Sequence, residues 1–514
     1  MQHMAVHGFI INPKSGTARL AQGICQALSL HGGQHHKFKR DYLDSFDWRL
    51  LNKGYCLQAE HHEEATLLQL FRLRDWQLVT QLQTSRTPRF PFELGRSRLA
   101  TLLMPILDVR ALLPQIATEV RQQRLQQLDA QDKLTGELII EEIKPTSSRQ
   151  ALKLLLHIPI RGYDKDNRAI ARQLKQEEAL QAIDEPPLPL LAKRLGVAHD
   201  YDSKPAITLD GAGRSDVQVK QLLAFFLDVM RRNEAGVIHD IDSEFVHDYR
   251  IAVRRSRTLL AQVPGLMPQR TQERFGAHLA NLGRITTPLR DLDVMLLNLD
   301  DYRNLLPTNM RADLDPALVF VRRQRRDAWL TVSRHLKTKS YASFCQRWRD
   351  FLEAPVPDNT RLPNAKRPLK DVADERIWKN YSKVLKQGRA ITKESPPEEV
   401  HALRKRCKKL RYLLEFFRSL YPKRKLKELI NILKQLQDNL GEYQDIHVHI
   451  DFFQQLRKTM QKQGRLPKGT GRALDEISAA LDIQQQKCRR EFHGRFREFS
   501  GKSHQQLFKQ LFKP

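Results

Sequence analysis

The chain repeats one helix-forming pattern twice. Val246-His247-Asp248-Tyr249-Arg250 returns as Val400-His401-Ala402-Leu403-Arg404, and Arg254 and Arg257 are answered by Lys408 and Arg411, every pair 154 residues apart. Leu266-Met267-Pro268 is echoed by Leu420-Tyr421-Pro422 at the same spacing, and Arg290-Asp291-Leu292-Asp293-Val294 by Gln444-Asp445-Ile446-His447-Val448. A register kept over this length without net insertion predicts a duplicated unit: a basic helix, a proline-marked turn and a second helix with an acidic signature.

At about 100° per residue, His247, Arg254, Arg250 and Arg257 share one narrow stripe of a helix, while Phe245, Tyr249, Ala252, Val253 and Leu260 fill the opposite side. His401, Arg404, Lys408 and Arg411 repeat the stripe, Lys405 and Lys409 widen it, and Leu403, Cys407, Leu410 and Leu414 face the other way. Like charges at these spacings repel, so a solvated helix face ordinarily mixes acids with bases. A positive row present twice predicts an anionic ligand and reads as free of carboxylate partners.

Charge follows the repeat. Residues 1–200 hold 27 Lys+Arg against 22 Asp+Glu, and the remainder 60 against 37. The excess points to a polyanion, with nucleic acid, polyphosphate and an acidic membrane surface as candidates. No apolar run approaches the 18 or so residues of a membrane span, and Met1-Gln2-His3-Met4-Ala5 lacks the order of a signal peptide. The five scattered cysteines, Cys25, Cys56, Cys345, Cys407 and Cys488, fit a reducing cytoplasm and no structural zinc.

Proline and glycine from Asp184 through Pro205 to Gly213 break every period, dividing the chain into 1–183, a linker 184–214 and 215–514. Before the break, Phe9-Ile10-Ile11, Tyr55-Cys56-Leu57, Gln77-Leu78-Val79 and Leu138-Ile139-Ile140 read as strands, with helices over 17–30 and 168–183, giving an α+β domain of antiparallel strands. After it, helical spacing over 218–231, 316–336 and 471–499 predicts an all-α region. Its first repeat spans about 215–355 and its second about 369–510, with the break between them at Pro355 to Pro368.

His247-x-x-Arg250-x-x-x-Arg254-Arg255-x-Arg257, its partner at His401, and the segments at 282–294 and 436–445 resemble the conserved-histidine α-helical domain, the CHAD domain. The resemblance implies two four-helix bundles related by a pseudo-twofold, without catalysis. It also implies a central surface for inorganic polyphosphate, formed by His247, Arg250, Arg254, Arg255, Arg257, His401, Arg404, Lys405, Lys408, Lys409 and Arg411, and association with polyphosphate granules. No cofactor or metal is expected, and only weak nonspecific nucleic-acid binding through phosphates.

More distantly, Tyr42 to Leu50 with Gly54, Val109-Arg110, and Leu156 through Pro159 and Arg161-Gly162-Tyr163 to Lys165 are similar to the CYTH or triphosphate-tunnel family, which implies a barrel remnant. That family's Glu-x-Glu-x-Lys is missing from the first strand, where Gly8-Phe9-Ile10-Ile11-Asn12 stands, and Leu57-Gln58-Ala59-Glu60 replaces its basic pair. Without those groups a metal-dependent triphosphatase is not expected, although Glu137, Glu141 and Glu142 remain as candidate ligands.

Asn12-Pro13-Lys14-Ser15-Gly16 is expected to be a turn, and His35-His36, His61-His62 and His447-x-His449 to be surface histidines, since none has a third ligand at standard spacing. Asp291 and Asp445 are expected to orient arginines through ion pairs.

Overall fold

The computed structural model describes residues 7–12, 14–183, 186–204, 207–392 and 394–513. Pro13 of the expected turn, the opening Met1 to Ala5, and Asp184, Glu185 and Pro205 of the expected linker lie outside them. Two compact units are found, Met1–Asp202 and Ser203–Pro514.

The first unit is built on strands β1 (His7–Ile11), β2 (His31–Asp44), β3 (Tyr55–His61), β4 (Thr66–Arg72), β5 (Gln77–Thr84), β6 (Leu113–Leu128), β7 (Leu134–Pro145), β8 (Leu152–Ile158) and β9 (Leu180–Ile183). They form one sheet in the order β5-β4-β3-β2-β6-β7-β8-β1-β9, each neighbour antiparallel. Helices α1 (Thr17–Leu28), α2 (Arg49–Asn52), α3 (Arg98–Leu107), α4 (Asp164–Gln176) and α5 (Pro187–Leu195) complete it.

Alternation along the strands sorts the two faces. Leu57 and Ala59 of β3 and Leu68 and Leu70 of β4 pack under Leu99, Ala100, Leu103 and Leu107 of α3. Leu138 and Ile140 of β7 and Leu155 of β8 pack under Leu20 and Ile24 of α1 and Ile170 and Leu174 of α4. The intervening Gln58, Glu60, Gln69, Ile139, Glu141 and Leu156 line a cavity of about 560 Å³ on the other face.

All four strands read from apolar runs are present, but the helix expected over 168–183 ends at Gln176. Leu180–Ile183 instead pairs with β1 as an edge strand. Val109 and Arg110 lie in the turn after α3, not in a strand. The segment read as linker contains α5, whose Leu188, Leu191 and Ala192 are buried against Tyr42, Ile116, Val120 and Leu154 of the first unit.

The second unit is all-helical: α6 (Ser215–Ile238), α7 (Ser243–Gln262), α8 (Gln269–Leu297), α9 (Leu299–Leu305), α10 (Asp315–Leu336), α11 (Lys339–Glu353), α12 (Leu369–Ala390), α13 (Pro397–Phe416), α14 (Lys423–Lys462), α15 (Lys468–Phe499) and α16 (Lys502–Phe512). The starts of α6, α7 and α8 precede those of α12, α13 and α14 by 154 residues each, so the duplication seen in sequence is a duplication of helices. Pro268 and Pro422 immediately precede α8 and α14, where a proline's missing N–H costs no helical hydrogen bond. In each repeat the fourth long helix follows, α10 in the first and α15 in the second, and α11 and α16 pack back on α6 and α12.

Candidate anion-binding surface

Helix α7 starts where the Asp242 carboxylate accepts the backbone N–H groups of Glu244 and Phe245 at 2.9 and 3.2 Å. Its apolar side is driven into the bundle, with Phe245, Tyr249, Ala252, Val253 and Leu260 all buried. On α13, Leu403, Cys407, Leu410 and Leu414 are buried completely. These burials fix the rotation of both helices and leave His247, Arg250, Arg254, Arg257, His401, Arg404, Lys405, Lys408, Lys409 and Arg411 half-buried or exposed.

Arg255 departs from this set. It is buried, with Nη1 donating to the Ser203 carbonyl at 2.6 Å and Nη2 to Glu415 of α13 at 3.3 Å. Its place on the helix, one residue beyond Arg254, turns it toward the bundle, so it ties α7 to α13 instead of joining the exposed row.

The two stripes meet. Arg254 of α7 and Arg411 of α13 lie over the ring of the buried Tyr412, at 5.8 and 5.9 Å from its centroid. Lys408 stands beside them: burial first, then the like charges of Arg404, Arg254 and Arg411, pull its ammonium down to about 8 against the opposing pull of Asp445. Tyr412 was not anticipated as part of the surface, although its position one residue after Arg411 and four after Lys408 marked it as a neighbour of both.

Each stripe is anchored on the helix that follows it. Arg250 Nη1 donates to the Gly283 carbonyl at 3.0 Å and to the hydroxyls of Thr286 and Thr287 at 2.8 and 3.0 Å, all neutral acceptors on α8. Burial brings the Arg250 guanidinium down to about 10, against the pull of Asp291 and with the like charges of Arg254 and Arg290 adding to the fall. Its counterpart Arg404 donates from Nη2 to Asp445 of α14 at 2.8 Å, while its buried Nε has no partner. Of the two aspartates expected to orient arginines, Asp445 does so by direct contact, whereas Asp291 forms no ion pair among the described residues and acts on Arg250 only through its charge.

His401 Nδ1 faces the Gln444 side-chain oxygen at 2.8 Å. Burial and then Lys405, Arg404 and Lys408 lower its pKa, with the Gln444 contact opposing. A neutral imidazole donating to Gln444 leaves Nε2 as an acceptor, whereas protonation adds a donor toward solvent.

The reading of a row without carboxylate partners needs correction. Glu415, four residues after Arg411 on the same face, lies 3.4 Å from its Nε and also meets Arg255, and Asp445 holds Arg404. Arg254, Arg257, Lys405, Lys408 and Lys409 form no ion pair among the described residues. Acids thus hold two of the stripe arginines, one of which, Arg411, stands where the stripes meet.

The first unit's ionisable groups are arranged otherwise. Arg40 is buried and donates to Glu60 at 2.7 Å and to both oxygens of Glu141 at 2.8 and 2.6 Å, and Gln122 donates to Glu141 at 2.8 Å. Glu137 accepts from Arg124 at 3.3 Å. Two of the three candidate metal carboxylates are thus engaged by arginines. His61 contacts Asp41 at 2.9 Å and His449 the Tyr302 hydroxyl at 3.0 Å. Among the described residues no group of three or more His, Cys, Asp or Glu side chains is placed to hold a metal ion, and no helix is long and apolar enough to cross a membrane.

No curated protein matches the chain's sequence. Among solved structures, the chain is similar to the CHAD domain of the plant Ricinus communis, at 20% identity over 58% of this chain and 97% of that one, with a TM-score of 0.48. PptA from Streptomyces chartreusis aligns at 17% identity over 55% of this chain and 99% of that one, with a TM-score of 0.42. A Hippeastrum protein described as having a dominant triphosphatase activity aligns at 12% identity over 39% of this chain and 100% of that one, with a TM-score of 0.27. Residues 221–454, which carry both histidine helices, α8 and most of α14, match the family model of the CHAD domain.

Proposed function

We propose that the second unit binds inorganic polyphosphate without chemical turnover, through the surface where α7 and α13 meet. The observation that carries this reading is the convergence of Arg254 and Arg411 on the ring of Tyr412 with Lys408 beside them, where burial and then the neighbouring guanidiniums lower the Lys408 pKa. Clustered cations destabilise one another, and an anion that neutralises several of them at once recovers that energy. A linear polyphosphate presents closely spaced charges and no bases, which suits a surface of guanidinium forks and ammonium points. His247, Arg250, Arg257, His401, Arg404, Lys405 and Lys409 extend the path along both helices. Arg255 has no part in it. Association with polyphosphate granules follows from the same chemistry.

The absence of turnover is part of the proposal. It is supported in the first unit by the pairing of Glu141 with Arg40 and Gln122 and of Glu137 with Arg124. Carboxylates held by arginines are poor metal ligands until those partners move.

Retention on immobilised polyphosphate tests the reading. The intact chain and residues 203–514 are expected to bind, and residues 1–202 and a chain carrying Arg254→Gln, Arg404→Gln and Lys408→Gln to pass through. Competition with short RNA separates the rival: equal displacement of labelled polyphosphate by RNA and by unlabelled polyphosphate would favour nonspecific nucleic-acid binding.

A further inference from the structure

A second cationic site lies away from the histidine helices. Helices α12 and α16 enclose an open groove of about 870 Å³ lined by Trp378, Tyr381, Leu385, Lys386, Arg389, Lys502 and Lys509 with a few small or amide side chains, and no carboxylate. The four cations are exposed and form no ion pair among the described residues. None of these residues belongs to the stripes of α7 and α13.

Two features separate the groove from an ordinary basic surface. Tyr381 lines the groove but is only 1% exposed, and its buried hydroxyl has no hydrogen-bond partner among the described residues. Its ring is held by stacking on Phe508 at 3.8 Å, which fixes this wall of the groove. Beside it, at 5.7 Å between ring centroids, Trp378 is only partly buried and offers an aromatic surface to the groove.

The duplication supplies an internal control. The positions 154 residues earlier, on α6, are Ala224, Leu227, Arg232 and Ala235 in place of Trp378, Tyr381, Lys386 and Arg389. Arg232 there faces Asp228 at 4.0 Å. A bundle of the same design therefore forms without the aromatic rings and without the cation of position 389, and with its one remaining cation beside a carboxylate, so packing does not require these groups.

We propose that this groove binds a nucleoside di- or triphosphate, the base stacking on Trp378 and the phosphates held by Lys386, Arg389, Lys502 and Lys509. A bare phosphate chain uses the cations alone and leaves Trp378 without a role. The aromatic face beside the charges is what selects a nucleotide.

Calorimetric titration of the full chain with ATP and, separately, with tripolyphosphate tests this. Trp378→Leu is expected to weaken ATP binding about tenfold while leaving tripolyphosphate unchanged, and Lys386→Gln with Arg389→Gln to remove ATP binding. Circular dichroism of each variant confirms the folded state. Equal ATP affinity in the wild-type and Trp378→Leu chains overturns the proposal. So does loss of ATP binding in the Arg254→Gln, Lys408→Gln chain, a result that places ATP on the histidine helices and leaves polyphosphate binding there intact as a reading. Loss of long-chain polyphosphate binding alone in that chain supports two separate sites.

Discussion

Arg255 of α7 reaches Glu415 of α13 at 3.3 Å, so a buried guanidinium from the first repeat is tied to a carboxylate of the second. Truncation leaves the Ser203 carbonyl and part of Glu415 without their donor, and a broken buried pair of this kind costs about 3 kcal/mol. Arg255→Ala is therefore expected to shift denaturant unfolding by that amount. Below the transition, polyphosphate affinity should remain close to that of the wild type. Arg254→Ala, one residue away and exposed, is expected to do the reverse: little change in stability, and about tenfold weaker binding from the loss of a charge-assisted contact.

The pH dependence has two parts of opposite sign. Lys408 has a folded pKa of about 8, below its ordinary 10.5, so the unfolded chain holds more protons between those values and stability rises with pH across that window. Anion affinity falls over the lower part of the same window, because the ligand loses a cation. Lys408→Met is expected to flatten both trends, seen by thermal melts and by titration at pH 7 and pH 9. A flat affinity profile in the wild-type chain would remove Lys408 from the contact surface.

His401 acts at the other end. Burial and neighbouring cations hold its pKa below 6.5, so the strengthening expected from histidine protonation is displaced to more acidic buffer. A bound polyanion opposes that shift. Nuclear magnetic resonance titration of the His401 ring is expected to give a higher pKa with polyphosphate bound than without it.

In the first unit, Glu141→Ala removes two of the charge-assisted hydrogen bonds to a fully enclosed Arg40 and leaves Glu60 to balance it. A loss of about 3 kcal/mol is expected in unfolding of this unit. Phosphate release from tripolyphosphate with magnesium or manganese, abolished by Glu142→Ala and not accompanied by unfolding, would overturn the non-catalytic reading of the unit.

Two helical glycines make opposite predictions. A Cβ at Gly236 falls 2.1 Å from the Phe245 ring at the start of α7, so Gly236→Ala must displace that ring and is expected to cost about 2 kcal/mol. At Gly494 in α15 a Cβ meets nothing within 4 Å, and Gly494→Ala is expected to stabilise by about 1 kcal/mol through helix propensity alone. Chemical denaturation of both variants checks the pair.

The helical unit was legible in sequence because its signals are local and occur twice. Periodicity located the buried side of α7 and α13, and the prolines at 268 and 422 marked the starts of the helices that anchor them. What stayed hidden depended on contacts across the chain. Arg255 looked like its neighbours until Glu415 and Ser203 were brought to it, and α5 looked like a linker because its leucines are buried mainly against strands more than thirty residues away. Strands β2 and β6 were missed for a related reason: their cavity-facing positions carry Arg40 and Gln122, whose polarity is satisfied by Glu60 and Glu141 on other strands. A window read along the sequence sees a charged segment where the sheet has a neutralised interior.

The meeting of Arg254 with Lys408 and Tyr412 also has a kinetic consequence. The partners are more than 150 residues apart and belong to helices that can each form within their own repeat. Loop-closure entropy and charge repulsion both oppose their approach, so the cluster closes late, after the two bundles have formed. Polyphosphate present during refolding would relieve the repulsion and speed that final docking, acting on the chain as a folding template.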